Sequence, residues 1–223
     1  MASVRHVIYL HGFASSPASS KAERFRAELA ACGVGYSCPD LNLPTFETLT
    51  TSRMLAQVRD EVSRAPAGPI ALVGSSLGAF VAVHAAAQDT TGRIDRLVLM
   101  APALDFGGSR LRQLGPHGID QWRTSGTLKV FHYADGVERS IGYALYEDAA
   151  AYDALTLPTQ HPTLAFQGDR DESVAPAMVE AWAQGRSLVR LRMLADGHQL
   201  AESIDEIWRE SAEFLGLGNR ARA

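Results

Sequence analysis

Pro69-Ile70-Ala71-Leu72-Val73-Gly74-Ser75-Ser76-Leu77-Gly78-Ala79-Phe80-Val81-Ala82-Val83-His84-Ala85-Ala86-Ala87 decides the reading of this chain. Ile70 to Val73 form a short, continuous apolar run, the pattern of a strand covered on both faces. An alanine-rich apolar segment over 77–88 has the length and composition of a helix. Between them stands G-x-S-x-G, with Ser76 at its centre. A bare match to that pattern says little, and its place at a strand-to-helix junction says much more. There the chain makes a nucleophile elbow, a strained turn that lifts a serine hydroxyl onto the end of a helix. Unpaired N–H groups and the helix dipole favour negative charge at that point. Gly74 and Gly78 leave room for strand and helix to approach closely.

Working outward, apolar runs and amphipathic stretches alternate along the whole chain. Strands are predicted at 4–10, 34–38, 69–73, 94–101, 162–167 and 187–193, and helices at about 19–32, 47–65, 77–88, 175–184 and 200–215. Such alternation implies right-handed crossovers and a parallel sheet. The 223 residues fit one α/β domain spanning 1–223, with 46% apolar and 21% charged residues. One stretch breaks the rhythm. At about 105–150, Lys129–Ala134 and Val137–Tyr143 flank Asp135-Gly136, a strong hairpin signal. This reads as a cap-like excursion over one sheet edge, where α/β sheets place their binding sites; the plainer reading is a stabilising flap.

Lys and Arg number 21 against 25 Asp and Glu, a net charge of −4 without the basic excess that phosphate neutralisation demands, so nucleic acid is an unexpected partner. No segment approaches the roughly 18 apolar residues of a membrane span. Cys32 and Cys38 stand outside any CxxC or Cys/His cluster, which argues against a structural zinc site and suits a reducing cytoplasm. Neither metal nor organic cofactor is expected.

A serine hydroxyl becomes nucleophilic only when a base takes its proton. Of seven histidines, His198 sits in Ala195-Asp196-Gly197-His198, between the last strand and the last helix, so it opens on the same sheet edge as Ser76. The carboxylate that fixes the tautomer of such a base comes from Gly168-Asp169-Arg170-Asp171-Glu172-Ser173-Val174, after the fifth strand. Asp171 is the first choice, Asp169 the near rival and Asp105 the distant one. Acyl transfer also needs backbone donors for a developing oxyanion. Leu77 N–H and Phe13 N–H, from His11-Gly12-Phe13 after the first strand, are the candidates, with His11 shaping that loop through hydrogen bonds.

The order Ser76, Asp171, His198, each residue in a loop at one sheet edge, resembles the α/β-hydrolase superfamily over nearly the whole chain. The superfamily's G-x-x-D-x-x-V acid loop matches at Gly168, Asp171 and Val174, which favours Asp171. Tyr9-Leu10-His11-Gly12-Phe13-Ala14-Ser15-Ser16-Pro17, with Ser20-Lys21-Ala22, looks like the small bacterial YqiA-type esterases. The resemblance implies a minimal α/β-hydrolase fold, a mostly parallel sheet of about six strands flanked by helices. It also implies cleavage of small-molecule carboxylic esters through an acyl-enzyme, without a cofactor. Phe13, Leu77, Leu104, Trp122, Phe131 and Tyr133 are candidates for the acyl pocket, which suits a small or medium chain. Acyl-CoA or another acyl-thioester is the alternative substrate, with Arg110, Arg112, Arg123, Lys129 and Arg139 as phosphate contacts. A non-catalytic binding module on the same scaffold is the reading from another class.

Overall fold

The computed structural model describes residues 4–110 and 114–217. Its sheet has six strands, all paired in parallel: β1 (His6–Leu10), β2 (Gly35–Ser37), β3 (Ile70–Ser75), β4 (Ile94–Met100), β7 (Thr163–Gly168) and β8 (Val189–Leu194), in the order β2-β1-β3-β4-β7-β8. Between β4 and β7 the chain forms a separate antiparallel hairpin, β5 (Thr127–His132) with β6 (Val137–Gly142).

Both faces of the sheet are covered, because successive strand side chains point to opposite sides. Ile8, Leu10, Ile70 and Leu72 pack on one face with α2 (Thr51–Arg64) and α3 (Leu77–Ala87). Val7, Tyr9, Ala71 and Val73 pack on the other with α1 (Ser20–Ala31) and α7 (Ile204–Phe214). β1, β3 and β7 are therefore buried along their whole length, as their mostly apolar runs require. α3 is buried on nearly every side. A helix apolar all round has no solvent face to offer.

The chain leaves β1 for β2 on one side and returns to β3 on the other. The crevice at the carboxyl ends of β1 and β3 is thus a topological switch point, the place where such sheets bind ligands.

The differences from the sequence reading are local. The helix expected over 47–65 is a 3₁₀ turn, Phe46–Thr48, followed by α2, because the Thr50 hydroxyl accepts the Arg53 N–H at 3.2 Å and starts the helix afresh. The last helix starts at Ile204 rather than 200. The Asp135-Gly136 hairpin turn takes four residues, 133–136, with the His132 carbonyl accepting from Asp135 and Gly136 N–H at 3.2 and 2.8 Å. The excursion also contains α4 (Gly115–Ser125) and α5 (Ala144–Ala149), which were not foreseen; α6 (Pro176–Ala183) was. Among the described residues no helix is long and apolar enough to cross a membrane.

Candidate active site

Ser76 follows the last residue of β3 and precedes the first of α3, with φ 53° and ψ −114°. A non-glycine residue in that region is strained and persists only when its surroundings dictate it. They do: Ser76 N–H donates to the Met100 carbonyl at 2.9 Å, and its own carbonyl accepts from Ala79 N–H at 3.0 Å. A Cβ at Gly74 would lie 2.6 Å from Ala79 backbone atoms, and one at Gly78 would strike the Leu10 carbonyl. The two glycines let β3, α3 and β1 share one point.

His198 stands next to the serine, its Nε2 3.1 Å from Ser76 Oγ. Its Nδ1 lies 2.9 and 3.1 Å from the two carboxylate oxygens of Asp171. The carboxylate is the acceptor, so Nδ1 carries the proton and the Nε2 lone pair faces the Ser76 hydroxyl. The Asp171 side chain is fully buried. Its Oδ1 accepts Ser173 and Val174 N–H, each at 2.8 Å, and its Oδ2 accepts Gln167 Nε2–H at 2.9 Å. Burial pushes the carboxyl upward, but the hydrogen bonds from His198, Val174 and Gln167 and the nearness of His198 outweigh it, leaving Asp171 below the usual carboxylate range. The loops that carry Asp171 and His198 touch because Gly168 has no side chain: a Cβ there would lie 2.7 Å from the Gly197 carbonyl. Asp196 fastens the His198 loop, accepting Gly197 N–H at 2.7 Å and Ser203 N–H at 2.9 Å. Asp169 is exposed and lies 3.6 Å from Arg170.

The β1 loop closes the site from the other side. A Cβ on Gly12 would sit 3.5 Å from the Ser76 Cβ, so the backbone here runs against the serine in ordinary contact. Buried His11 fixes the loop, with Nδ1–H donating to the Gly12 carbonyl at 2.9 Å and Nε2 accepting Leu41 N–H at 3.0 Å. Among the described residues no acceptor engages the N–H of Phe13 or of Leu77. Both are available to an incoming oxygen.

A cavity of about 460 Å³ opens over Ser76 and His198, walled by Phe13, Phe131 and Tyr133 among others. Two expected pocket residues are elsewhere. Leu104 lies in the core, and Trp122 packs beneath the hairpin with its indole N–H donating to the Ile141 carbonyl at 3.0 Å. Leu77 is likewise buried, and its side chain packs in the core. Lys21, Gln199, Ser15 and Val130 also line the cavity, and the pocket reading missed them. Lys21 had stood out only within the Ser20-Lys21-Ala22 match. The remaining histidines lie apart from the serine: His84, for example, sits between the rings of Phe80 and Tyr152. Of the suggested phosphate contacts, Arg123 pairs with Asp120 at 2.8 Å, and Arg139 with Glu47 and Asp135 at 2.8 and 2.7 Å. Arg112 lies outside the described residues. No cluster of three metal-ligating side chains occurs among the described residues.

A parallel sheet with an elbow at its switch point and a hydrogen-bonded row of serine, histidine and aspartate defines an α/β hydrolase by fold. Mouse alpha/beta hydrolase domain-containing protein 10 superposes with a TM-score of 0.80 at 19% identity, covering 97% of this chain and 92% of its own. Est1E from Butyrivibrio proteoclasticus with bound ferulic acid gives 0.80 at 21%, covering 96% and 88%. A structure from work on the metagenome-derived lipolytic enzymes LipS and LipT gives 0.70 at 21%, covering 96% and 94%. The chain belongs to the uncharacterised protein family UPF0227, whose profile matches residues 6–209. No curated protein sequence matches it.

Proposed function

We propose that this protein is a serine hydrolase that cleaves carboxylic esters of small to medium acyl chains through an acyl-enzyme on Ser76. The observation that carries the reading is the continuous row from Ser76 Oγ through the His198 ring to the buried Asp171 carboxylate. As Ser76 Oγ attacks the ester carbonyl, its proton passes to His198 Nε2. The oxyanion that forms is held by Phe13 and Leu77 N–H, donors that carry no competing acceptor. The imidazolium then protonates the departing alcohol oxygen as the C–O bond breaks. Water repeats the sequence, giving its proton to His198 and its oxygen to the acyl carbon. Asp171 keeps the imidazole in the useful tautomer and steadies its charge. A structural relative from work on lipolytic enzymes supports the same reading. Acyl-CoA is a weaker candidate, because Arg123 and Arg139 are already paired with carboxylates. We further propose that the protein acts in a reducing cytoplasm, where Cys32 and Cys38 stay as thiols. A fluorophosphonate probe followed by peptide mass spectrometry tests the chemistry. Modification should fall on Ser76 and vanish in His198→Ala; absence of labelling, or labelling elsewhere, would refute it.

A further inference from the structure

Ester cleavage as written leaves one wall of the cavity without a task. Lys21 lies in the first turn of α1 and lines the space over Ser76 and His198. A cation there opposes the helix dipole, so the helix gains nothing from it. Its Nζ donates to the Gln199 carbonyl at 2.7 Å and lies 3.4 Å from Gln199 Oε1, both neutral acceptors. Among the described residues no carboxylate comes within ion-pairing distance of Lys21. The nearest ones are engaged otherwise: Asp171 by His198 and Asp196 by Gly197 and Ser203 N–H. Burial lowers the ammonium to about 8, with Asp196 and then Asp171 resisting from a distance.

The rest of the cavity wall fits a polar guest on this side. Ser15, Ser19, Ser20 and Ser173 line it, and no carboxylate does among the described residues. Tyr9, another lining residue, is fully buried, with its hydroxyl beside the Ser75 side chain. Phe131 and Tyr133 from the hairpin make the cavity apolar on another side.

Building on the ester-hydrolase reading, we propose that the cavity selects esters that carry a carboxylate of their own, and that Lys21 Nζ pairs with it. A carboxylate suits the site better than a phosphate. One ammonium balances one negative charge, and no second permanent cation lines the cavity among the described residues.

The test compares matched charged and neutral esters. p-Nitrophenyl hemisuccinate against its methyl ester places the carboxylate on the acyl side. 4-Acetoxybenzoate against its methyl ester places it on the alcohol side. The ratio of kcat/KM, charged over neutral, should exceed one for at least one pair. It should fall roughly ten- to hundredfold in Lys21→Met and be largely kept in Lys21→Arg. An unchanged ratio, or an equal loss on both members of each pair, overturns the proposal, since Lys21 would then only prop the Gln199 loop. Binding is read separately by calorimetric titration of the Ser76→Ala protein with the same esters. Tighter binding of the charged ester that disappears on adding Lys21→Met supports the proposal even if turnover is absent. Equal binding of charged and neutral esters overturns it. Failure of the hydrolase reading shows instead as missing turnover and missing probe labelling in the unaltered protein.

Discussion

The elbow around Ser76 and the hairpin tip around Asp135 face one cavity and are built by opposite means. Every residue of β3 is buried, and the glycines at 74 and 78 leave no space for even a methyl group. The hairpin alternates exposed and half-buried positions along β5, and its aromatic side chains are open to solvent, Phe131 at 50% and Tyr133 at 72%. Its base is fastened by buried Ile141, whose carbonyl accepts the Trp122 indole N–H. Nearer the tip stand buried His132, edge-on to Phe46, the bidentate Arg139–Glu47 pair, and Ala134 N–H, which donates to the Ala14 carbonyl at 3.3 Å. The part proposed to bear the chemistry is therefore tightly determined by its packing. The exposed Phe131 and Tyr133 side chains can change at little cost to the fold.

The sharpest break in this comparison is Ser76→Ala. Ester turnover should drop by 10⁴-fold or more while the melting temperature holds, because the lost oxygen does no packing. Activity that survives there and dies in Ser75→Ala would move the elbow by one residue. Asp171→Asn comes next, with an expected loss on the order of 10⁴ in kcat, since an amide can donate to Nδ1 and so favour the wrong tautomer. Asp169→Asn should do far less. The reverse ranking, seen in steady-state rates, would reassign the acid.

A third prediction concerns the helix behind the elbow. Burial lowers His84 to about 4 against an ordinary 6.5, with Asp153 opposing weakly. The unfolded chain takes up that proton near pH 6.5 and the folded protein does not until about pH 4. Stability from neutral His84 is thus complete above pH 6.5 and lost as pH falls toward 4, on the order of 3 kcal/mol. Urea titrations should show His84→Phe losing less stability than the parent across that window. Parallel losses would mean that His84 takes up its proton equally in both states.

The hairpin should give the smallest effects. Phe131→Ala and Tyr133→Ala are expected to change KM for longer p-nitrophenyl esters several-fold and acetate hydrolysis hardly at all. Removing the tip around Asp135-Gly136 should act in the same direction. An unchanged chain-length profile would make the hairpin a flap without a substrate role.

Much of this arrangement can be read from short windows of sequence. The strand–turn–helix at Ser76, the G-x-x-D-x-x-V loop at Asp171 and the loop at His198 each rest on a few neighbouring residues. A parallel sheet brings the carboxyl ends of its strands to one edge, so knowing that each residue follows a strand nearly places it. The pocket walls could not be read this way. Leu104, just before the excursion, and Trp122 and Phe131 within it are all large apolar side chains, yet the first two are buried in the core and the third lines the cavity. Composition does not separate them, because burial is decided by what packs on top. Lys21 marks the same limit. In sequence it is a lysine on an amphipathic helix; in the folded chain its ammonium rests on Gln199, 178 positions away. Local pattern determines which elements form and where their candidate catalytic loops open. Contacts between distant residues decide which side chains a substrate meets, because only packing brings those residues together.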